Sequence, residues 1–385
     1  MKVLNKELLT KTLNDRTSKE VKEGKVGGAS VAVTQNGELI YKNHFGMQNL
    51  DKKIPVTDNT LFRLASMTKP ITAFASVIEM DKGRLNLFDE VEKYLPKYKD
   101  LYLGKIDENG GIIKTEKVKT KLRVIHLLTH SSGIGASDEF GFKVADSFKD
   151  DPRKHIFREA VDAYPEFPLS FEPYSQQSYS AVWGFDILGR IIEETSGKCY
   201  SDYLKEEIFS PLEMKNTTFY PTQEQWDRLI DLHNRDKDGK YFAEAQNQGC
   251  VFADHKCTAT CGGAGLAGSM ADYLNFCEML LNEGNFRGNQ IVRPESVRSM
   301  SIPHITERIM DPCGIWGLGM RVMDNDAHDA FPKGVYGWAG AYGTHFWIDP
   351  ANKITAVYMK NSVYDGAFGV SVSTFEKDVY ACIEK

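Results

Sequence analysis

Apolar and polar positions along the chain predict a sheet built from both ends, with helices between. Two apolar runs, residues 27–33 and 38–46, flank Gln35-Asn36-Gly37. An Asn-Gly pair between such runs is a strong signal for a β-hairpin. Strand patterns return at 317–323, 343–349 and 354–360, and a last helical pattern at 370–383 would cover the sheet.

The middle of the chain has the three-to-four-residue apolar spacing that is typical of helices. The first helix contains Ser66 and continues into the apolar stretch 71–78. Glycines at 197 and 284 stand where glycine commonly ends a helix. Further helices are predicted at 87–94, 123–129, 185–195, 200–208 and 270–281. Segments 104–120 and 220–260 have the composition of loop-rich insertions, and 114–121 is predicted to form a solvated hairpin.

This order of elements predicts one catalytic unit, residues 1–385, with two lobes. An α/β lobe would combine about 1–75 with 310–385, and a mostly helical lobe would occupy about 76–309. The fold class is α/β of the α+β type, with an antiparallel sheet flanked by helices. A cleft between the two lobes is the expected place for an active site.

Composition describes an ordinary globular protein with a large core: 385 residues, 42% hydrophobic and 26% charged. A net charge of −6, with no dense Lys/Arg run, argues against a nucleic-acid partner. The first residues are charged and resemble neither a secretory signal nor a membrane span, so we expect a cytoplasmic protein without a membrane partner. Seven scattered cysteines fit reduced thiols better than a disulfide framework.

Candidate chemistry centres on Ser66-Met67-Thr68-Lys69. Helical residues three apart share a face, with Cβ atoms roughly 5–6 Å apart. A serine hydroxyl needs a base, and the amine of Lys69 can supply one. Because neutralising an ordinary lysine at pH 7 costs roughly 4–5 kcal/mol, this base requires an apolar, desolvated wall. Pro70 is tolerated in a first helical turn and so puts Ser66 at the helix N-terminus, where N–H groups favour an oxyanion.

Further motifs accompany this tetrad in one order along the chain. They are Gly27-Gly28-Ala29-Ser30-Val31-Ala32-Val33, His126-Leu127-Leu128-Thr129-His130-Ser131-Ser132-Gly133, Phe171-Glu172-Pro173, Tyr179-Ser180, Leu188-Gly189-Arg190-Ile191-Ile192-Glu193, Gly265-Leu266, Asp272-Tyr273, and Trp338-Ala339-Gly340-Ala341-Tyr342-Gly343. Together they resemble the serine β-lactamase and penicillin-binding-protein superfamily, in its class C-like branch and closest to the family VIII esterases. The resemblance covers nearly the whole chain. It implies a β-lactamase-like fold and an enzyme that needs no metal or organic cofactor.

The family's second motif, Tyr-x-Asn, matches Tyr179-Ser180-Ala181. The resemblance therefore implies that Tyr179 relays protons between Ser66 and the leaving group, with Tyr174 as the competing candidate. Two positions depart from the pattern, because Ala181 replaces the expected amide and Tyr174 replaces a glycine. An alanine side chain forms no hydrogen bond with a substrate amide, which argues against recognition of peptide or β-lactam amides.

The family's third motif, Lys-Thr-Gly, is replaced here by Trp338-Ala339-Gly340, which is similar to the Trp-x-Gly of family VIII esterases. The resemblance implies that this strand lines the substrate site and that the N–H groups of Ala341 and Ser66 form the oxyanion hole. Gly340 would let substrate approach the backbone closely. An indole in place of a cation favours neutral esters over anionic substrates.

These residues predict a serine hydrolase that works through an acyl-enzyme, and specifically a carboxylesterase acting on small neutral esters. β-Lactamase, D-amino-acid peptidase and acyltransferase activities stay open as alternatives. A penicillin-binding or scaffold relative without turnover is a further alternative. The expected partner is a small-molecule ester or amide, and a homo-oligomer stays open.

Three other patterns predict structure rather than chemistry. His126 and His130 lack the intervening Glu of a zinc helix, so helix packing and a turn cap are expected. The group Cys250, His255, Cys257 and Cys261 lacks paired zinc-ligand spacing, and no metal is expected there. The glycine-rich run 262–268 lacks the Lys-Ser/Thr end of a phosphate loop and predicts a backbone bend lining the cleft.

Overall fold

The structure is a computed structural model that describes residues 1–244, 260–305, 315–323, 331–367 and 369–384. The α-helices within these ranges are α1 (Lys6–Lys22), α2 (Thr68–Asp81), α3 (Val124–Leu128), α4 (Glu139–Phe148), α5 (Phe157–Ala163), α6 (Trp183–Ser196), α7 (Tyr200–Leu204), α8 (Gln223–Asp227), α9 (Met270–Leu281), α10 (Pro294–Met300) and α11 (Val370–Ala381). Among these described helices, none combines the length and apolar character needed to cross a bilayer.

The strands form one large sheet and several small ones. They are β1 (Gly28–Gln35), β2 (Glu38–Asn49), β3 (Ile54–Pro55), β4 (Leu61–Arg63), β5 (Tyr102–Ile106), β6 (Ile112–Lys117), β7 (His233–Arg235), β8 (Tyr241–Ala243), β9 (Ala267–Ser269), β10 (Asn285–Phe286), β11 (Asn289–Gln290), β12 (Ile315–Trp316), β13 (Arg321–Val322), β14 (Tyr336–Ala339), β15 (His345–Asp349) and β16 (Ile354–Lys360). The large sheet has the order β12-β13-β14-β15-β16-β1-β2-β3. Both ends of the chain therefore share one sheet, as predicted.

The first strand, β1, is an interior strand of this sheet and pairs antiparallel with both β16 and β2. Its hairpin to β2 turns at Asn36 and Gly37, whose φ angles are 54° and 78°. Positive φ at both turn residues is what a tight hairpin with the twist of the sheet requires. The predicted Asn-Gly hairpin is confirmed.

Side chains on the two faces of the sheet belong to different hydrophobic clusters, because successive strand residues point to opposite faces. Val31 packs in a cluster with Leu13 of α1 and Phe375 of α11. Ala32 belongs to the larger cluster that contains Phe74 of α2 and extends through α6 and α9. The apolar stretch after Pro70 is buried all round, so α2 lies inside the protein. This placement brings the start of α2 into the interior.

The helix predicted at 87–94 is wrong, because the structure has only a 3-10 turn at Val91–Lys93. The side chain of Asn86 accepts a hydrogen bond from the backbone N–H of Phe88 at 2.9 Å. Local bonds of this kind compete with helical hydrogen bonding. The other predicted helices are present, and α6 ends at Gly197, which has φ 70°.

The strand predicted at 317–323 is also wrong in its extent. A turn with Gly319 at φ 73° separates β12 from β13, and the backbone N–H of Gly317 bonds to the carbonyl of Met320 at 2.9 Å. The N-terminal helix α1 is not evident in the apolar pattern of the sequence, because only a narrow stripe of its residues, including Leu9 and Leu13, is buried.

The hairpin predicted at 114–121 is wrong in its bounds. The observed hairpin pairs β5 with β6 across a turn at 107–111, and only 114–117 belong to it, although most residues of β6 are exposed as predicted. The lobe boundaries stay a prediction. The described cysteines Cys199, Cys261, Cys277 and Cys382 are free thiols, whereas Cys250, His255 and Cys257 lie outside the described residues.

Candidate active site

Ser66 lies in a 3-10 turn, Ala65–Met67, that leads directly into α2. The preceding Ala65 has φ 46°, a left-handed conformation that residues other than glycine rarely adopt. Backbone strain of this kind concentrates at functional sites. Pro70 falls in the first turn of α2, as predicted, and Ser66 is half-buried.

The amine of Lys69 is held between the serine and two backbone carbonyls. Nζ lies 3.2 Å from Oγ of Ser66, 2.6 Å from the carbonyl oxygen of Ala181 and 2.8 Å from the carbonyl oxygen of Gly263. The side chain is completely buried, with 0% exposure. The predicted serine and lysine therefore meet, and the three oxygens around the amine are all uncharged.

This arrangement orients the nitrogen in either protonation state. A lysine ammonium carries three N–H donors, and here it would donate to all three oxygens. A neutral amine has two N–H donors and one lone pair. With both donors directed to Ala181 and Gly263, the lone pair faces the hydroxyl of Ser66. The two carbonyls therefore fix the direction of the amine relative to the serine hydroxyl.

Tyr179 and Trp338 form the wall beside the amine. Nζ of Lys69 lies 4.8 Å from the centre of the Tyr179 ring, and the indole N–H of Trp338 donates to the Tyr179 hydroxyl at 3.2 Å. The competing Tyr174 is 44% exposed and stacks on His126, with 5.8 Å between ring centres. The structure therefore brings Tyr179 to Lys69 and places Tyr174 at the protein surface.

The end of β14 lies against the turn that carries Ser66. A Cβ atom at Gly340 would stand 2.3 Å from the carbonyl oxygen of Leu64, so only glycine fits there. The hydroxyl of Thr344 also donates to this Leu64 carbonyl, at 3.0 Å. Ala339 is buried, and Ala341, the next residue after Gly340, is exposed. The strand is therefore close to the serine, and the role of Ala341 as an oxyanion donor stays a prediction.

The glycine-rich run forms the predicted backbone bend, and its carbonyls are used by α2. Gly262 accepts a hydrogen bond from the hydroxyl of Thr72 at 2.7 Å, and Gly263 accepts from Lys69. A Cβ atom at Gly263 would stand 2.7 Å from the Cα atom of Val182, which explains the glycine. The carbonyls of Ala181 and Gly263 cannot be recognised in the sequence as partners of Lys69, because every residue has a carbonyl.

His126 and His130 have the structural roles that the sequence predicted. Nδ1 of His126 accepts from the backbone N–H of Arg123 at 3.1 Å and so caps α3. Nδ1 of His130 accepts from the backbone N–H of Ser180 at 2.9 Å. Burial, with a smaller effect from Lys69 when its amine is protonated, lowers the pKa of His130 well below its ordinary value, so the ring is neutral. Its ring centre lies 4.5 Å from that of Tyr179. Within the part of the chain that the structure describes, no three metal-ligating side chains gather.

Residues 13–381 match the family model described as Beta-lactamase. The chain therefore belongs to the β-lactamase family, and its predicted fold class is confirmed. It is similar to Esterase EstB of Burkholderia gladioli, with 26% identity and coverage of 94% of this chain and 92% of the esterase. It is also similar to the "Putative D-alanyl-D-alanine carboxypeptidase" of Escherichia coli (strain K12), with 26% identity over 86% of this chain and 77% of that protein.

Among solved structures, the chain is similar to that of EstCE1, "a hydrolase with promiscuous acyltransferase activity". The TM-score is 0.82 at 24% sequence identity, over 97% of this chain and 99% of that one. This likeness supports the fold. The names of the relatives support membership in a family of hydrolases.

Proposed function

We propose that this protein is a serine hydrolase that cleaves small neutral esters through an acyl-enzyme on Ser66. The observation that carries the proposal is the placement of the buried Lys69 amine, which is 3.2 Å from Oγ of Ser66 and bonded to two carbonyls. The similarity to an esterase over 94% of the chain supports the same reaction class.

In the proposed acylation, Oγ of Ser66 attacks the ester carbonyl carbon while its proton passes to the neutral amine of Lys69. The backbone N–H groups of Ser66 and Ala341 stabilise the oxyanion of the tetrahedral intermediate. When the intermediate collapses, the bond to the alcohol oxygen breaks. Tyr179 gives its proton to that oxygen and regains one from the lysine ammonium.

Deacylation reverses these roles with water in place of the alcohol. Water attacks the acyl carbon on Ser66 while its proton passes through the Tyr179 hydroxyl to the neutral amine of Lys69, and the serine oxygen then leaves with a proton from the lysine ammonium. The products are a carboxylic acid and free enzyme. Another alcohol or amine in place of water would give acyl transfer by the same steps.

The preference for esters rests on two positions that depart from the superfamily pattern. Trp338 carries no charge that would attract a substrate carboxylate, and its one N–H is engaged by Tyr179. Ala181 contributes its backbone carbonyl to Lys69, but its methyl group cannot bond a substrate amide. Both features favour a neutral substrate without an amide.

Cleavage of D-amino-acid peptides or β-lactams is the second candidate. It is favoured by the similarity to a protein named as a carboxypeptidase. It predicts that amide substrates are turned over at least as well as esters. A penicillin-binding relative without turnover would instead stop at the acyl-enzyme.

One assay series separates these functions. p-Nitrophenyl butyrate, nitrocefin and a D-Ala-D-Ala peptide are tested with wild type, with Ser66→Ala and with the surface control Ser175→Ala. The proposal predicts steady ester turnover that Ser66→Ala abolishes and Ser175→Ala retains. Faster turnover of the lactam or the peptide would support the second candidate. A single stoichiometric burst would indicate a protein without turnover, and unchanged ester turnover in Ser66→Ala would refute the nucleophile.

A further inference from the structure

We propose that Asp186, a residue outside the serine-lysine-tyrosine set, positions the amine of Lys69 through the bend at Gly262 and Gly263. The inference rests on the proposed function, because it concerns the base of that reaction. Asp186 is a positioning residue and not a catalytic one, since it acts on Lys69 only through the backbone of Gly263.

Asp186 lies on α6 and is only 4% exposed. Its two carboxylate oxygens connect the bend at Gly263 with Tyr164. Its Oδ1 accepts a hydrogen bond from the backbone N–H of Gly263 at 3.3 Å. Its Oδ2 accepts from the hydroxyl of Tyr164 at 3.0 Å. The carbonyl of Gly263 is the oxygen that holds Lys69 at 2.8 Å. One residue, Gly263, therefore separates the buried carboxylate from the proposed base.

The bend needs such an anchor because it consists of glycines. Glycine has more backbone freedom than any other residue, so its carbonyl direction is weakly fixed by its own conformation. No side chain fits at Gly263, where a Cβ atom would stand 2.7 Å from Cα of Val182. Anchoring must therefore come from neighbouring elements. Thr72 bonds the carbonyl of Gly262 from α2, and Asp186 bonds the N–H of Gly263 from α6.

Burying the carboxylate of Asp186 costs free energy, and a neutral acceptor could bond the same backbone N–H at a lower cost. The carboxylate therefore indicates a role beyond packing. Its hydrogen-bond donors are the Tyr164 hydroxyl, the Cys261 thiol and backbone N–H groups, none of which is a cation. Burial raises the pKa of Asp186 to about 6, and these hydrogen bonds only partly oppose the effect of burial. Buried charges that lack an ionic partner are uncommon and concentrate at functional sites.

Three variants separate positioning from packing. Asp186→Ala removes the acceptor for Gly263. Asp186→Asn keeps an oxygen acceptor of the same shape. Tyr164→Phe removes the other hydrogen bond of Asp186 and leaves the bond to Gly263. The readouts are kcat and KM for p-nitrophenyl butyrate, together with thermal unfolding of each variant.

Asp186→Ala should lower kcat by about 10- to 100-fold, the scale of a misplaced catalytic group, with KM changed less than about threefold. Asp186→Asn should retain at least about a third of wild-type kcat, and Tyr164→Phe should keep kcat while losing some thermal stability. If Asp186→Ala does not fold, Asp186→Leu repeats the test, because leucine fills the same space without an acceptor.

An unchanged kcat in folded Asp186→Ala or Asp186→Leu would overturn the inference. An equal loss of kcat in Tyr164→Phe would also overturn it, because packing would then explain both effects. If the wild-type protein does not turn over esters, the proposed function and this inference fail together. If wild type turns over esters and the folded Asp186 variants keep its kcat, only this inference fails.

Discussion

The indole N–H of Trp338 donates a hydrogen bond to the hydroxyl oxygen of Tyr179, with 3.2 Å between the two atoms. Their ring centres lie 5.3 Å apart. Because the phenol oxygen accepts from the indole, its own O–H is left to point toward another acceptor. The strand that carries Trp338 thus orients the group that we propose as the proton relay.

Trp338→Phe removes this hydrogen bond and keeps an aromatic ring. We expect kcat for p-nitrophenyl butyrate to fall about fivefold to tenfold, which corresponds to the loss of one neutral hydrogen bond of about 1 kcal/mol. Tyr179→Phe alone should cost about 100-fold or more. In the double variant, Trp338→Phe should add little to Tyr179→Phe. If the fold-decreases in kcat of the two single variants instead multiply in the double variant, Trp338 acts on something other than the Tyr179 phenol.

Lys69→Met replaces the amine with an unbranched apolar side chain of similar length. We expect kcat to fall by about 1,000-fold or more, because the serine loses its base. Methionine fits the apolar surroundings but leaves the carbonyls of Ala181 and Gly263 without this donor, so thermal stability should fall modestly while the protein stays folded. Lys69→Arg serves as the control, since a guanidinium retains the charge and does not act as a base at neutral pH. Retention of more than a tenth of wild-type kcat in Lys69→Met would exclude the amine as the base.

Ala181→Asn restores the side-chain amide of the superfamily pattern at an exposed position. The ratio of nitrocefin turnover to p-nitrophenyl butyrate turnover, each measured as kcat/KM, should rise about tenfold, because the amide can bond a substrate amide. Ala181→Leu controls for size and should not raise the ratio. A similar increase in both variants would show that bulk, and not hydrogen bonding, sets the substrate preference.

Stability should depend on pH through His233, which is buried and distant in sequence from the proposed machinery. Burial, with a smaller effect from Arg63, lowers the pKa of His233 to about 4. The unfolded chain binds a proton at this histidine near pH 6.5, whereas the folded protein does not until about pH 4. The contribution of His233 to the free energy of unfolding is therefore fully present above pH 6.5 and is lost as the pH falls toward 4.

The His233→Asn variant tests this linkage. The difference in unfolding free energy between wild type and variant should shrink by on the order of 2–3 kcal/mol between pH 7 and pH 4. Denaturant unfolding at several pH values measures it, with wild type as the reference at each pH. If the difference in unfolding free energy stays constant across this pH range, the His233 ring has the same pKa in the folded and unfolded states, and the predicted linkage is wrong.

Prediction from sequence succeeded where a side-chain pattern sets the structure directly. The Asn36-Gly37 turn, the α2 helix and the meeting of Ser66 with Lys69 follow from local spacing, and the structure has all three. The second motif favours Tyr179 over Tyr174 in the sequence, but only tertiary contacts show that Tyr179 lies beside Lys69 and Tyr174 at the surface. The carbonyls that hold Lys69 and the part that we propose for Asp186 depend on backbone placement. No side-chain pattern in the sequence indicates either these carbonyls or the proposed role of Asp186.

The proposed mechanism requires Ser66, activated by Lys69, as the nucleophile. The most direct test is to incubate the folded protein with a fluorophosphonate and to locate the adduct by peptide mass spectrometry. We expect one adduct per chain, on Ser66, that forms much more slowly in Lys69→Met. An adduct on another residue, or labelling of Ser66→Ala at the wild-type rate, would contradict it.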